Sequence, residues 1–343
     1  MDNKIKENIA KLIKNTKNPQ TGEFFKIDDE VNIIVREKHV TITIQIDHQK
    51  LDLFKEVNSY LKEQIDSNKD ILSSNIILTA DKKSTQNNQF NNKYKLKPKN
   101  IIAIASGKGG VGKSTVSVNL SIALSKIGKS VALLDADIYG PSIPRMMGIN
   151  NRPITNENKK FIPLENHGIK CMSIGFLITP DTPAIWRGPM IMKALEQLFL
   201  NVEWGETEYM IIDLPPGTGD TQLTIAQKVD VKGAIIISTP QDIALIDAIK
   251  GVNMFKKVNI PVIGLIENMS YFICDKCNQR HEIFSHGGAK QESEKLKTNF
   301  LGEIPINKDL RICSDQGKPI LIEKPESEIS KIYLEIANKL TII

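Results

Sequence analysis

The stretch IIAIASGKGGVGKST, residues 101–115, decides the fold of most of this 343-residue chain. Its glycines fit two patterns that both begin at Gly107. One is G-x-G-x-x-G, which is typical of dinucleotide-binding loops, and the other is G-x-x-x-x-G-K-S, the P-loop that binds nucleoside triphosphates. Both patterns need a strand before the loop and a helix after it, and the apolar run and the helical spacing on either side fit that need. Lys108 belongs to neither pattern.

Charge decides between the two patterns. A triphosphate carries more negative charge than a dinucleotide's pyrophosphate and comes with Mg²⁺, and Lys113 and Ser114 supply the amine and the hydroxyl that these need. In YMIIDLPPGTGD, residues 209–220, an apolar strand ends in Asp213, which suits the water shell of the metal, and a flexible glycine segment follows that can sense a γ-phosphate. Asp135 would also satisfy the acidic position of the dinucleotide pattern, but a nicotinamide site has no use for the other elements. We therefore predict ATP rather than NAD.

Five apolar, β-branched runs alternate with amphipathic segments after residue 100. Such runs suit strands that are buried on both faces of a parallel sheet. They are IIAIA (101–105), VALLD (131–135), MIID (210–213), AIIIS (234–238) and VIGLIEN (262–268). After the first run, apolar residues at helical spacing extend from Val116 to Ile127, and Gly128 follows as a C-cap. The pattern predicts a doubly wound, mostly parallel α/β P-loop domain over residues 101–343.

Residues 1–80 predict a separate, small α+β domain. Apolar residues at helical spacing open it, two strands follow in VNIIVREKHVTITIQID, and a second helix and a last strand, SNIILTA, close it. Residues 81–100 then hold six lysines, one aspartate and five asparagines, and they account for the formal net charge of +5. A segment this polar cannot bury enough apolar surface to fold, so we predict a basic linker.

Charge and hydropathy also exclude some partners. Outside residues 81–100 the acidic and basic residues cancel, so the sequence does not predict a face that binds nucleic acid. No apolar run approaches the roughly 20 residues that cross a bilayer. The first 18 residues are too polar for the apolar core of a signal peptide. We therefore expect a cytoplasmic protein that binds neither nucleic acid nor membrane.

The motifs resemble a known group of ATPases. KGGVGKST after a strand, then LLDADIYGPS, then IIDLPPGTGD, are similar to the deviant Walker A ATPases, which include MinD, ParA and the nitrogenase iron protein. DADIYGPS, WRGPM, DLPPGTGD and ENMSYFICDKC narrow the resemblance to the Mrp/ApbC family of iron–sulfur cluster carriers, over residues 100–320. The first domain resembles the small cluster-assembly domain of many Mrp proteins, although IDHQKLDLF lacks the cysteine and proline that this domain usually carries.

The resemblance implies roles for four charged residues. In that family the first lysine of the loop, here Lys108, crosses a dimer interface and contacts the partner's ATP, where it acts like an arginine finger. Lys113 contacts the phosphates of its own ATP. Asp137 matches the switch I aspartate that orients the attacking water, and Asp135 is expected to be structural.

The remaining expected contacts are to nucleotide and magnesium. Backbone N–H groups of the loop cradle the phosphates at the helix N-terminus, Ser114 binds Mg²⁺, Thr115 assists at the α-phosphate, Asp213 is the Walker B carboxylate and Asn268 reads adenine. The expected nucleotide-binding set is Gly107, Lys108, Gly109, Gly110, Val111, Gly112, Lys113, Ser114, Thr115, Asp213 and Asn268.

The cysteines suggest a metal site. The four are too few for a disulfide scaffold in a chain this long: Cys171, Cys274, Cys277 and Cys313. The CxxC pair, Cys274 and Cys277, allows three hypotheses: a zinc site completed by His281 and His286, a redox dithiol, or a [4Fe–4S] cluster bridged by two chains that each give two thiolates. The symmetric dimer that Lys108 requires favours the bridged cluster. The two isolated cysteines are expected to be buried hydrophobes.

The motifs together predict a homodimeric, Mg²⁺-dependent ATPase that binds a [4Fe–4S] cluster and delivers it to apo-proteins. Two alternatives remain. One is a positioning ATPase of the MinD/ParA type without a cluster, and the other is a regulatory ATPase that binds zinc.

Overall fold

The structure, a computed structural model, describes residues 2–19, 22–25, 31–36, 38–46, 53–68, 71–80, 93–177 and 188–342. The chain divides into two compact units, Met1–Asn91 and Asn92–Ile343. Each unit has its own cluster of buried apolar side chains. No helix within the described residues combines the length and the apolar character that a membrane crossing demands.

The first unit is the small α+β domain that the apolar spacing predicts. Its elements are α1 (Asp2–Lys14), β1 (Val31–Arg36), β2 (His39–Ile46), α2 (Phe54–Asp66) and β3 (Ser73–Ala80). The strands form one sheet in the order β1-β2-β3, with β1 antiparallel and β3 parallel to β2. Ile5, Ile9 and Ile13 of α1 pack with Ile42 and Ile44 of β2 in its core.

The segment between the units differs from the linker expected over residues 81–100. Residues 81–92 lie outside the described residues, but residues 93–100 are part of the second unit. There, the Tyr94 N–H donates to the Lys228 carbonyl at 2.7 Å, and the ammonium of Lys97 lies 2.9 Å from Glu203. Composition missed these contacts because lysines that pair with distant carboxylates look the same in sequence as solvated ones.

The second unit is built on one large sheet. Within the described residues its strands are β4 (Asn100–Ser106), β5 (Val131–Asp135), β6 (Leu164–Asn166), β7 (Ile169–Ser173), β8 (Tyr209–Asp213), β9 (Gly233–Ser238), β10 (Val262–Ile273), β11 (Arg280–His281) and β12 (Asn299–Ile306). The order is β6-β7-β5-β8-β4-β9-β10, and both β11 and β12 pair with β10. All neighbours are parallel except β6 and β11, which run antiparallel. The mostly parallel sheet confirms the predicted fold class.

Helices cover this sheet. They are α3 (Lys113–Lys126), α4 (Ile143–Met146), α5 (Gly188–Leu200), α6 (Asp220–Lys228), α7 (Asp242–Lys257), α8 (Gly288–Leu296), α9 (Lys308–Asp315), α10 (Ile320–Glu323) and α11 (Glu328–Ile342). Helix α3 follows the glycine loop and packs against both the sheet and α11. Gly128 comes just after α3 with φ +87°, as a C-cap requires.

The register of three neighbouring strands positions the site. Ile104 of β4 lies opposite Asp213 of β8, and Asp213 lies opposite Asp135 of β5. Parallel strands place their carboxyl ends at one edge of the sheet. The loop after β4, the aspartates after β5 and the carboxylate that ends β8 therefore meet at the same edge.

Candidate functional site

The glycine loop connects β4 to α3 and is tightly enclosed at two positions. A Cβ atom at Gly107 would lie 2.2 Å from the backbone carbonyl carbon of Asp247 in α7, and one at Gly112 would lie 2.2 Å from the Asn268 side-chain nitrogen. Gly112 also has φ +82°, a left-handed conformation that side chains disfavour. Only glycine fits these two positions.

Lys113, the first residue of α3, points its ammonium toward three carboxylates, those of Asp135, Asp137 and Asp213, which form a ring of carboxylates. Its Nζ lies 2.8 Å from Oδ2 of Asp213 and 3.7 Å from Oδ2 of Asp137, and its side chain is only 6% exposed. Two hydroxyls complete the shell of Asp213: Ser114 donates to Oδ2 at 2.6 Å, and Ser117 donates to Oδ1 at 2.7 Å. The structure therefore brings together four residues that the sequence predicted for the nucleotide site: Lys113, Ser114, Asp137 and Asp213. It adds Ser117, which the sequence did not predict.

Asp137 and Asp135 play different parts in this ring. Oδ1 of Asp137 is buried and has no hydrogen-bond partner among the described residues. Burial raises the pKa of Asp137, and the Lys113 ammonium opposes that rise. Asp135 instead accepts hydrogen bonds from the Ser173 hydroxyl at 2.9 Å and the Asp137 N–H at 3.1 Å. Burial, followed by repulsion from Asp213, raises the pKa of Asp135 to about 8. Asp135 thus holds the turn that presents Asp137.

A cavity of about 860 Å³ opens beside the glycine loop. Gly112, Thr115 and Asn268 line its inner end, and Met146 and Phe272 are among its apolar walls. Asn268 lies between the cavity and the glycine loop, because its side-chain nitrogen donates to the Val111 carbonyl at 2.8 Å. A cavity of this size with apolar walls, next to a glycine loop at a helix N-terminus, can accommodate a nucleobase.

Lys108 lies apart from the ring of carboxylates. Its ammonium is 3.4 Å from the side-chain oxygen of Gln241, at the start of α7. On the same helix Ile243 and Ile246 are 69% and 54% exposed. The second lysine of the loop therefore lies in the ring, whereas the first lies beside an exposed apolar surface.

Cys274 and Cys277 occupy the turn between β10 and β11. The Cys274 N–H donates to the Gln279 carbonyl at 3.0 Å, and the Asn278 N–H donates back to the Cys274 carbonyl at 2.9 Å. Cys274 is half-buried and Cys277 is exposed. Hydrogen bonds from the N–H groups of Lys276 and Cys277, and from the Cys277 thiol, lower the pKa of Cys274. The lowered pKa favours the thiolate, which is the form of cysteine that binds metal.

Strand β10 reaches this turn by a route that the sequence did not predict. The apolar run predicted a strand that ends at Asn268, but β10 continues to Ile273. A register shift against β12 follows Asn268, and Met269 adopts φ +54°. The irregularity hides the continuation, because it breaks the alternation by which a strand is recognised. The nucleotide-side Asn268 and the cysteine turn therefore belong to one strand.

The histidines of the zinc hypothesis do not join the cysteines. His281 pairs with Phe272 in the β10–β11 ladder, and His286 lies 3.1 Å from the Arg280 guanidinium. Among the described residues, the one cluster of three side chains that could bind a metal is Glu267, His286 and Glu303, which includes no cysteine. The isolated Cys171 and Cys313 are buried, as expected. Trp186 and Arg187 of the WRGPM motif lie outside the described residues.

Comparison with known proteins identifies relatives of the chain. The chain is 53% identical over 244 residues to the iron–sulfur cluster transfer protein NUBPL of Dictyostelium discoideum, which covers 71% of this chain and 76% of that protein. It is 48% identical over 259 residues to the iron–sulfur cluster carrier protein of Aquifex aeolicus, covering 75% and 71%.

Solved structures support the same fold. A nucleotide-binding protein from Archaeoglobus fulgidus in complex with ADP is 38% identical, with a TM-score of 0.60 over 69% of this chain and 93% of that one. The MinD protein of Pyrococcus horikoshii, at 22% identity and a TM-score of 0.53, shares the fold. The ParA family model described as NUBPL iron-transfer P-loop NTPase matches residues 97–341. The chain therefore belongs to the NUBPL iron-transfer P-loop NTPases, which confirms the family that its motifs predicted.

Proposed function

We propose that this chain is a Mg²⁺-dependent ATPase that works as a homodimer and carries a [4Fe–4S] cluster to apo-proteins. The observation that carries the proposal is strand β10, which holds Asn268 against the glycine loop and, six residues later, delivers Cys274 to an exposed turn. A nucleotide site and a pair of soft metal ligands are thus joined by one element. Relatives named as iron–sulfur cluster transfer and carrier proteins support iron as the cargo.

The loop and the ring of carboxylates fit a bound triphosphate. The N–H groups from Gly109 to Lys113 lie at the N-terminus of α3, where the helix dipole favours negative charge. Lys113 supplies a fixed positive charge for the β- and γ-phosphates. Ser114 and Asp213, already in contact at 2.6 Å, offer the hydroxyl and the carboxylate for Mg²⁺ and its water shell. When bound, the ion neutralises charge on the phosphates.

Asp137 is suited to act on the attacking water. Its Oδ1 is buried and has no hydrogen-bond partner in the part of the chain that the structure describes, while its Oδ2 is held 3.7 Å from the Lys113 ammonium. An unpartnered buried acceptor at the phosphate edge is costly unless a ligand completes it. We assign Asp137 the role of orienting water toward the γ-phosphate.

Exposed apolar residues support a dimer. Ile243 and Ile246 lie on the same helix whose start contacts Lys108. At the cysteine turn, Ile273 and Ile283 are exposed as well. A second copy that packs on these surfaces would cover them, and a two-fold axis would bring Lys108 to the partner's phosphates. The same symmetry would bring the two cysteine turns together.

The cluster is cargo, and two chains together provide the thiolates that it needs. A [4Fe–4S] cluster takes about four thiolates, and each chain exposes the two of its CxxC turn. Two copies of Cys274 and Cys277 complete the set across the axis. A cluster at an exposed seam between subunits is accessible to a recipient protein.

Anaerobic reconstitution with iron and sulfide tests the proposal. We expect a broad absorbance near about 400 nm and about four irons per dimer, both lost in Cys274→Ala and in Cys277→Ala. Cys313→Ala is the matched control, because this cysteine is buried away from the turn, and it should keep the cluster.

Two results would contradict the cluster. One is a colourless protein with about one zinc per chain that depends on His281 and His286. The other is ATP hydrolysis without any iron uptake, which would leave a P-loop NTPase of the positioning type.

A further inference from the structure

The cysteine turn rests on a very short ladder. Strand β11 is two residues long, and its pairing with β10 consists of Phe272 with His281 and Ile273 with Arg280. A ladder of two pairs has little stability of its own. Two backbone hydrogen bonds close the turn itself, and the position of the thiols relative to the sheet depends further on side-chain contacts that hold β11 in place.

Arg280 makes those contacts. Its guanidinium lies 3.8 Å from the ring centroid of Tyr271 on β10. Its two terminal nitrogens donate to the two carboxylate oxygens of Glu303 on β12, at 3.2 and 3.4 Å. Stacking and a fork of two parallel hydrogen bonds fix a guanidinium in direction as well as in place. One side chain thus connects the short strand to two strands of the main sheet.

The acceptor side of this fork is anchored in the core. The Ser270 hydroxyl donates to Glu267 at 2.6 Å and lies 3.2 Å from Glu303. Glu267 is fully buried, and its other oxygen accepts from the Ala289 N–H at the start of α8, at 2.7 Å. Exposed ion pairs usually contribute little, but a bidentate arginine within a fixed network is the exception.

A metal ion is the other explanation for this cluster, and Arg280 argues against it. The ligand atoms of Glu267, His286 and Glu303 lie within 4.8 Å of one another. However, the Arg280 guanidinium already bonds Glu303 and lies 3.1 Å from Nδ1 of His286. The guanidinium supplies the positive charge that a metal would otherwise bring.

We propose that Arg280 is a positioning residue for the cysteine pair: by clamping β11 onto Tyr271 and Glu303, it holds Cys274 and Cys277 in the geometry that shares a cluster with a second copy. The effect on the cluster rests on the function proposed above. The effect on the turn concerns this chain alone and can be measured without a cluster.

Hydrogen–deuterium exchange of the full-length apo-protein and cluster loss from the reconstituted protein test the clamp. Arg280→Gln should speed exchange in peptides covering residues 271–281 by about tenfold and leave α3 unchanged, because only local opening is affected. It should also shorten the half-life of the cluster under an iron chelator by about tenfold. Arg280→Lys should give values between those of the wild type and Arg280→Gln in both measurements, since lysine keeps the positive charge but cannot make the two parallel hydrogen bonds to Glu303.

Lys331→Gln is the matched control. It removes one exposed positive charge that pairs with Glu328 at 2.8 Å on α11, and it should change neither measurement. Glu303→Gln should reproduce the Arg280→Gln effect on the turn.

Unchanged exchange at residues 271–281 in Arg280→Gln would overturn the clamp. Faster exchange with an unchanged cluster half-life would overturn its role in positioning the thiols. If the wild-type protein takes up no iron, the carrier function fails, and the exchange data still decide whether Arg280 holds the turn.

Discussion

Three aspartates lie near one lysine at the edge of the sheet where the carboxyl ends of β5 and β8 meet, and each aspartate has a different environment. Lys113 contacts Asp213 and lies near Asp137, whereas Asp135 turns to Ser173 and to the backbone. Lys113 and Asp213 could be predicted from sequence, because a P-loop and a strand that ends in aspartate are recognisable patterns. Ser117 and Ser173 could not, since a serine that bonds a distant carboxylate leaves no signal in its own neighbourhood.

The first prediction separates binding from chemistry. Lys113→Ala should abolish tight ATP binding, because it removes the fixed positive charge in the ring and leaves Asp213 uncompensated; the buried charge should also cost about 3–5 kcal/mol of stability. Asp137→Asn should bind ATP nearly as the wild type does but hydrolyse it about 10²–10⁴-fold more slowly. Calorimetry and phosphate release measure the two effects.

The exposed carboxylate of Asp230, which pairs with Lys93, supplies the control for that experiment. Asp230→Asn should leave both binding and hydrolysis unchanged. Normal hydrolysis by Asp137→Asn would remove this residue from the reaction.

The second prediction concerns Asp135 and pH. Its pKa is raised from 3.8 to about 8, so the folded protein binds a proton that the unfolded chain releases. The stability from this group is full below pH 3.8 and is lost as pH rises to about 8. Asp135→Asn resembles the protonated acid and should lack this loss. In urea unfolding of the nucleotide-free proteins, the free energy of unfolding of the variant, relative to that of the wild type, should therefore increase from about pH 5 to 8. A difference that stays constant with pH would contradict the assignment.

At the scale of elements, strands with continuous apolar runs could be predicted from the sequence, and strands with interrupted runs could not. The five strands predicted after residue 100 all exist, but four of the described strands were missed. Lys170 and Glu303 interrupt the apolar runs of β7 and β12, and β6 and β11 are only three and two residues long. The continuation of β10 was hidden by the register shift after Asn268. That hidden part is what connects the nucleotide cavity to the cysteines.

The third prediction tests how tightly α7 packs on the glycine loop. Gly107→Ala would place a methyl group 2.2 Å from the Asp247 backbone, so α7 or the loop must move. We expect a loss of about 1–3 kcal/mol in stability, with weaker ATP binding. Gly251→Ala within α7 is the control, since it lies outside the glycine loop and the nearest atom to its Cβ belongs to the Ile236 side chain, at 3.9 Å. Thermal unfolding and ATP titration measure both, and equal behaviour of the two variants would contradict the close packing.

At the scale of the whole molecule, the function proposed above requires a second copy of the chain. Lys108 points to Gln241 and not to the ring of carboxylates, and two cysteines cannot complete a four-thiolate site. Sequence indicated these features only through resemblance to a family, because spacing along one chain carries no information about contacts between copies. The family match begins at residue 97 and does not include the small first unit.

The fourth prediction tests whether Lys108 acts across the dimer. Lys108→Ala should bind ATP but lose most hydrolysis, and Lys113→Ala should lose both. In a dimer of one chain of each kind, the intact Lys113 holds ATP on one chain and the intact Lys108 of the other reaches it. An equal mixture should regain about a quarter of wild-type turnover, because about half of the dimers are mixed and each has one complete site. No recovery, with subunit exchange verified, would exclude action in trans.

The bridged cluster is tested most directly by native mass spectrometry of the anaerobically reconstituted protein. We predict a dimer that carries the mass of one [4Fe–4S] cluster, and a loss of that added mass in Cys274→Ala and in Cys277→Ala. A single chain that holds the whole cluster, or a dimer that carries about one zinc per chain and no iron, would contradict it.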